Sequence, residues 1–193
     1  SGIEICSGEL IVNCGTVYGG YEYTGTDDDL LQGYRGHSGS AGIGDAITVI
    51  GRRGSGYDTA SLNVVINGGR FQSGSNYGVR YFDCNLANAT QITQIVEVEI
   101  TDGTFVGAAG DVDFAYVNSE EQQIIAGGNF SEPVDLNYLS DNLTVELYSV
   151  SNTEAPYSYY RSTEDAQNAA QTGDIITDLS SVTSDVMHMV TID

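Results

Sequence analysis

The pentapeptide GDVDF, residues 110–114, holds two carboxylates two positions apart. Successive side chains of a strand alternate in direction, so Asp111 and Asp113 would share one side of it. Hydrolysis of a glycosidic bond uses such a pair, one acid protonated and one ionised, at a defined separation. Elimination from a uronic acid would add a Lys or Arg base and commonly calcium. Asp83 lies upstream, and Arg70 and Arg80 are the nearby cations of a chain that has no lysine. The catalytic candidates are therefore Asp111, Asp113, Asp83 and Arg80. With 27 acidic residues in the chain, two same-side carboxylates also arise by chance, so this reading stands second to a non-catalytic one.

Other side chains could bind rather than react. The triplet Asp27-Asp28-Asp29 offers oxygen ligands of the kind calcium takes, although it lacks the spaced acids and glycine of a calcium loop. No other cofactor is expected. Tyr21, Tyr23 and Tyr34, with Tyr18 and the later Tyr157, Tyr159 and Tyr160, could stack on the apolar face of a sugar ring, but aromatic rings also cover turns. Glu97 and Glu99 alternate with Val96, Val98 and Ile100, the pattern of a solvated outer strand face. His37 and His188 stand alone, with no nucleophile motif around them. The three cysteines lack the spacing of a zinc site; Cys6 and Cys14 are near enough in sequence either to bridge or to remain thiols.

The elements that must position these groups are visible as a repeat. LNVVINGGRF (62–71), VEVEITDGTF (96–105) and IIAGGNF (124–130) each run through apolar residues to an isoleucine, turn at a small or glycine pair and close on phenylalanine. The alternation in the first two predicts strands with one apolar face. Gly or Asp-Gly supplies the corner, and Phe71, Phe105 and Phe130 would plug a core beyond it. VNCGTV (12–17) has the same shape, with Asn13 matching Asn67, Gly15 matching Gly69 and Val17 in the place of the ring. Further strands are expected at 46–50, 79–84, 114–117 and 143–150. One helix is expected at 162–170, capped by Ser162 or Thr163 and followed by Gly173.

Composition sets outer bounds. The 193 residues suffice for one sizeable core, and 24 glycines, 13 tyrosines, 2 prolines and no tryptophan fit a turn-rich all-β chain. A net charge of −21 repels phosphate backbones and anionic lipid, which argues against nucleic-acid and membrane partners. No segment approaches the roughly 20 apolar residues of a membrane-spanning helix.

The I-x-G-G-x-F units, the SAGIG segment leading into AITVI, NFSEPVDLNYLSDNLTVE, and YYRSTEDAQNAAQTGDIITDL together resemble repeats of large surface proteins from Gram-positive gut bacteria. Those repeats are of the pectin-lyase-like, right-handed parallel β-helix type. The resemblance covers the chain from about Ser38 onward, with Asp102 departing from the first glycine of the corner. It implies an extracellular or cell-surface location in a bacterium, and a chain that is a fragment of a larger protein.

No unit could bury its apolar row alone, so the units must stack or pair. The recurrence of one strand-corner-ring motif favours a β-solenoid over an antiparallel sandwich. The expected fold is thus a single-stranded right-handed parallel β-helix occupying residues 1–193 as one domain, with residues from about 157 forming a cap or opening a further block. The expected role is structural, adhesin-like or glycan-binding, towards a glycan or host-surface ligand. The alternative is a polysaccharide lyase or glycoside hydrolase.

Overall fold

The computed structural model describes residues 1–20, 44–51, 60–83, 94–116, 122–181 and 189–191. Strands β1 (Ile3–Ile5), β4 (Ile47–Gly51), β6 (Tyr77–Asp83) and β8 (Gly110–Tyr116) form a four-stranded sheet in that order, every pair parallel. A second sheet of nine strands contains β2 (Gly8–Val12), β3 (Thr16–Gly19), β5 (Ser61–Ser73), β7 (Ile95–Gly107), β9 (Asn129–Phe130), β10 (Val145–Tyr148), β11 (Tyr157–Tyr160), β12 (Ile175–Asp178) and β13 (Met189–Thr191). From β4 to β8 the chain alternates between the sheets, and the core lies between them. Ile47, Val49, Val79 and Phe114 from the smaller sheet meet Leu62, Val64, Ile66, Ile100 and Phe105 from the larger, all fully buried.

The repeat folds in register. Leu62, Val64, Ile66 and Phe71 of β5 pair with Val96, Val98, Ile100 and Phe105 of β7, and Phe105 pairs with Phe130. VNCGTV is the same unit one strand earlier: Val12 pairs with Ile66 and Val17 with Phe71. Each ring stacks on the next, Phe71 on Phe105 at 5.0 Å between centroids and Phe105 on Phe130 at 5.1 Å, with interplanar angles of 12° and 14°. Such pairs add about 0.5–1.5 kcal/mol each beyond the area they bury. The rings dictate the corner residue. At Gly103, φ is 138° and an added Cβ would lie 2.9 Å from Cζ of Phe105, so only a residue without a side chain fits beneath the stack.

Among the named strands the parallel arrangement ends at β9, with one isolated parallel bridge beyond it from Ile125 to Leu139, and here the expected single-stranded parallel β-helix is overturned. β9 is parallel to β7 on one side but antiparallel to β11 on the other, and β10–β11, β10–β12 and β12–β13 are all antiparallel. The protein is therefore a mostly β structure of one parallel and one mixed sheet. Alternation in LTVELYSV correctly signals a strand, but a period of two carries no direction. The connection does: residues 149–156 are too few for a parallel crossover, which needs a dozen or more, so β10 and β11 must run in opposite directions.

The helix α1 (Thr163–Ala169) is capped by the Ser162 hydroxyl, which accepts from the Asp165 amide, with Glu164 and Asp165 in its first turn. Its buried Ala166 packs with Val145, Leu147 and Ile176 as a second, smaller apolar cluster. Outside, Arg70 of β5 makes a two-pronged ion pair with Glu154 in the β10–β11 connection, tying the parallel part to the antiparallel part. Among the described residues, no helix is long and apolar enough to cross a membrane.

Candidate functional site

The structure brings two of the four catalytic candidates together. Val79 and Tyr81 of β6 and Phe114 of β8 point into the core, so Arg80 and Asp113 project from the opposite face of the four-stranded sheet. Thr48, Arg80 and Asp113 lie in one cross-strand row. Arg80 Nε stands 2.9 Å from Asp113 Oδ2, and the Arg80 guanidinium carbon lies 5.2 Å from the centroid of the Tyr77 ring. This face is not open to solvent: Arg80 is 3 % exposed, Asp113 8 % and Thr48 0 %.

Asp111 takes a different task. Its Oδ1 accepts from the Gly107 amide at 3.0 Å and the Ser131 hydroxyl at 2.6 Å, and its Oδ2 accepts from the Ser131 and Glu132 amides. The carboxylate is thereby spent on the turn between β7 and β8 and on the chain leaving β9. Burial pushes its pKa up, while the Ser131 hydroxyl and the three amides pull it down. Spacing in the sequence places Asp111 and Asp113 on one side; in the fold they have different partners and share none of the bonds described above. Asp83 ends β6, paired along the backbone with Gly51.

A further acid, outside the candidates expected from the sequence, lies beside the row of Thr48 and Arg80. Asp45, fully buried just before β4, accepts from the Thr48 hydroxyl at 2.9 Å and from the Tyr77 amide at 3.2 Å. Its pKa is pushed up to about 6 by burial; the Thr48 bond, the Arg80 charge, the Tyr77 amide and the amino terminus pull the other way. Asp174, 1 % exposed, completes the set: Oδ1 accepts from the Val150 amide and Oδ2 from the Gln171 amide, both at 2.9 Å.

All three acids follow a glycine with positive φ, at 80° for Gly44, 146° for Gly110 and 94° for Gly173. All three make one bond within their own turn and at least one to a neighbouring turn. The signal was present in the sequence as GDAI, GDVD and GDII, residues 44–47, 110–113 and 173–176.

The metal and ligand candidates Asp27, Asp28, Asp29, Tyr21, Tyr23 and Tyr34 lie outside the described residues, as do His37, His188 and Cys84. Among the described residues, no group of three or more His, Cys, Asp or Glu could hold a metal ion. Cys6 and Cys14 are not bridged. Tyr159 is core: its ring packs 5.9 Å from that of Phe130 and its hydroxyl accepts from the Val134 amide at 3.0 Å. Tyr157 lies against Tyr148 at 5.1 Å.

The outer face of the larger sheet is the open one. Glu9, Asn63 and Glu97 form one cross-strand row and Ile11, Val65 and Glu99 the next. At the corner beyond them, Asn67 donates to Asn13 and accepts from Thr101. No family model, curated protein or solved structure matches the chain. The likeness to surface-protein repeats thus rests on the sequence motifs alone.

Proposed function

We propose that this chain is a non-catalytic, surface-displayed segment with a structural or adhesin-like role, whose ligand is a glycan. The observation that sets the Arg80 and Asp113 catalytic reading aside is the burial of these two side chains against each other. A lyase or hydrolase needs its carboxylates and its base facing substrate, yet these two are buried against each other, 3 % and 8 % exposed. Asp111 is likewise engaged, by three amides and a hydroxyl. Among the described residues, solvent meets instead the outer face of the larger sheet, where Asn, Glu and Thr side chains lie beside the exposed Ile11.

A net charge of −21 without lysine keeps an exposed, β-rich chain soluble and away from nucleic acid. Two assays test the proposal. Incubation with uronic-acid polysaccharides, with and without calcium, is expected to release no product; cleavage that disappears in Asp113→Asn would establish an enzyme instead. A glycan array probed with the purified chain is expected to give hits, and an empty array would refute the ligand class.

A further inference from the structure

We infer that a cleft beside the parallel-to-antiparallel junction is the glycan site, and that it takes a short neutral oligosaccharide rather than an acidic one. The inference rests on the glycan reading above but moves it from the flat sheet face to a particular concavity. The cleft has a volume of about 490 Å³, within the range of about 300–1,000 Å³ typical of small-ligand pockets. Gln123, Asn137, Asp141 and Thr144 line it with amides, a carboxylate and a hydroxyl, and Leu136 and Leu143 add apolar surface.

The walls are fixed by backbone bonds, so the cavity exists before any ligand arrives. Ile125 bridges to Leu139, with the Ile125 amide donating to Tyr138 O and the Ser140 amide to Ile125 O. On the other side, the Leu179 amide donates to Thr144 O at 2.8 Å. Asn137 is held in turn: its backbone and side-chain amides both donate to Asp135 Oδ1 at 2.9 Å. Gln123 Nε2 donates to Asp141 Oδ1 at 2.5 Å, joining two linings of the cleft. A carboxylate has room for about four hydrogen bonds, so Asp141 keeps acceptor capacity for hydroxyl donors.

The lining chemistry favours a hydroxyl-rich ligand without acidic groups. Among the described residues the cleft lining contains no Lys or Arg, and the one formal charge is Asp141, so a phosphate, sialate or uronate would meet repulsion there without a cation to pair with. A wholly apolar ligand would strip water from the amides and hydroxyls without replacing their hydrogen bonds. A neutral sugar answers both demands: its hydroxyls donate to Asp141 and exchange bonds with Gln123 and Asn137, while its C–H face lies on Leu136, which is 44 % exposed.

The test uses an array of neutral oligosaccharides beside sialic-acid- and uronic-acid-bearing ones, probed with the whole chain and with Gln123→Ala, Asp141→Ala and, on the flat face, Glu97→Ala/Glu99→Ala. All these side chains are exposed, and unchanged melting temperatures verify that each variant folds. The expected result is retention on neutral glycans, weakened at least tenfold by either cleft variant and unaffected by the flat-face pair. Hits on neutral glycans that survive both cleft variants would overturn the cleft and leave the glycan reading standing. Hits confined to acidic glycans would overturn the ligand class, and an array without hits would overturn both readings together.

Discussion

Replacing Asp45 by asparagine should change how stability depends on pH, in a direction fixed by the geometry around the carboxyl group. Asp45 is 0 % exposed and its pKa is raised from 3.8 to about 6, with burial as the dominant cause. Because the folded pKa lies above the unfolded one, the folded state binds the proton more tightly. Ionised Asp45 therefore weakens the fold at neutral pH, and that cost vanishes as pH falls through 6 towards 4. A shift of about two units corresponds to about 3 kcal/mol in full, of which about 2 kcal/mol falls between roughly pH 7.5 and pH 4.5.

Asparagine keeps the shape and an acceptor for the Tyr77 amide but carries no charge at any pH. Urea unfolding of both proteins at the two pH values gives the double difference, in which the titration of Asp111, of Glu146 and of the acidic surface cancels. Wild type is expected to gain about 2 kcal/mol relative to Asp45→Asn on acidification. A double difference near zero, or of opposite sign, would show that Arg80 and the Thr48 and Tyr77 bonds outweigh burial.

Three further outcomes follow from packing and hydrogen bonding. Phe105→Ala removes the middle ring of the stack and should cost about 3–5 kcal/mol in urea unfolding; a loss below about 1 kcal/mol would mean that the stack collapses freely around the gap. Arg80→Met strands the buried Asp113 charge and should cost about 3–5 kcal/mol, whereas Arg80→Met/Asp113→Leu should recover most of it; a double variant as unstable as the single one would refute the pairing. Asp111→Ala takes the acceptor from the Gly107, Ser131 and Glu132 amides and should lower the melting temperature well below that of Asp111→Asn, since each orphaned amide costs about 1–3 kcal/mol; equal melting temperatures would show that water replaces the carboxylate.

The repeat was legible because the features that encode it are local. Alternation says which residues face inward, a glycine pair says where the strand bends, and Phe71, Phe105 and Phe130 then fall into one stack. Even the weak copy at 12–17 could be aligned residue for residue, and β2 and β3 pair with β5 in that alignment. Strand direction beyond β9 was not encoded in this way. Val145 and Leu147 alternate as Val64 and Ile66 do, and only the length of the connection to Tyr157 distinguishes an antiparallel partner from another parallel strand. The burial of the candidate site was hidden for a related reason. Alternation predicts one covered face per strand, yet Ile47, Thr48, Val49 and Ile50 are all 0 % exposed, so β4 is covered on both faces, and the row from Thr48 to Asp113 is sealed with it.

The Gly-Asp corners alter what the extreme acidity means. Read as composition, 27 acids against 6 arginines speak only of solubility and repulsion. Read by position, Asp45, Asp111 and Asp174 are among the most buried polar groups of the protein, and their task is connection. A glycine with positive φ lets the chain turn back at the mouth of a strand. The next residue can then offer two oxygens, one to an N–H or O–H of its own turn and one to an amide of the adjacent turn. Carboxylate suits this position because it is short, accepts several bonds at once and donates none. The same device serves at a parallel strand of the small sheet, at the turn between the sheets and at the antiparallel end of the large sheet. Turn-to-turn registration by buried carboxylates is therefore independent of strand direction, and it is what the parallel and antiparallel parts have in common.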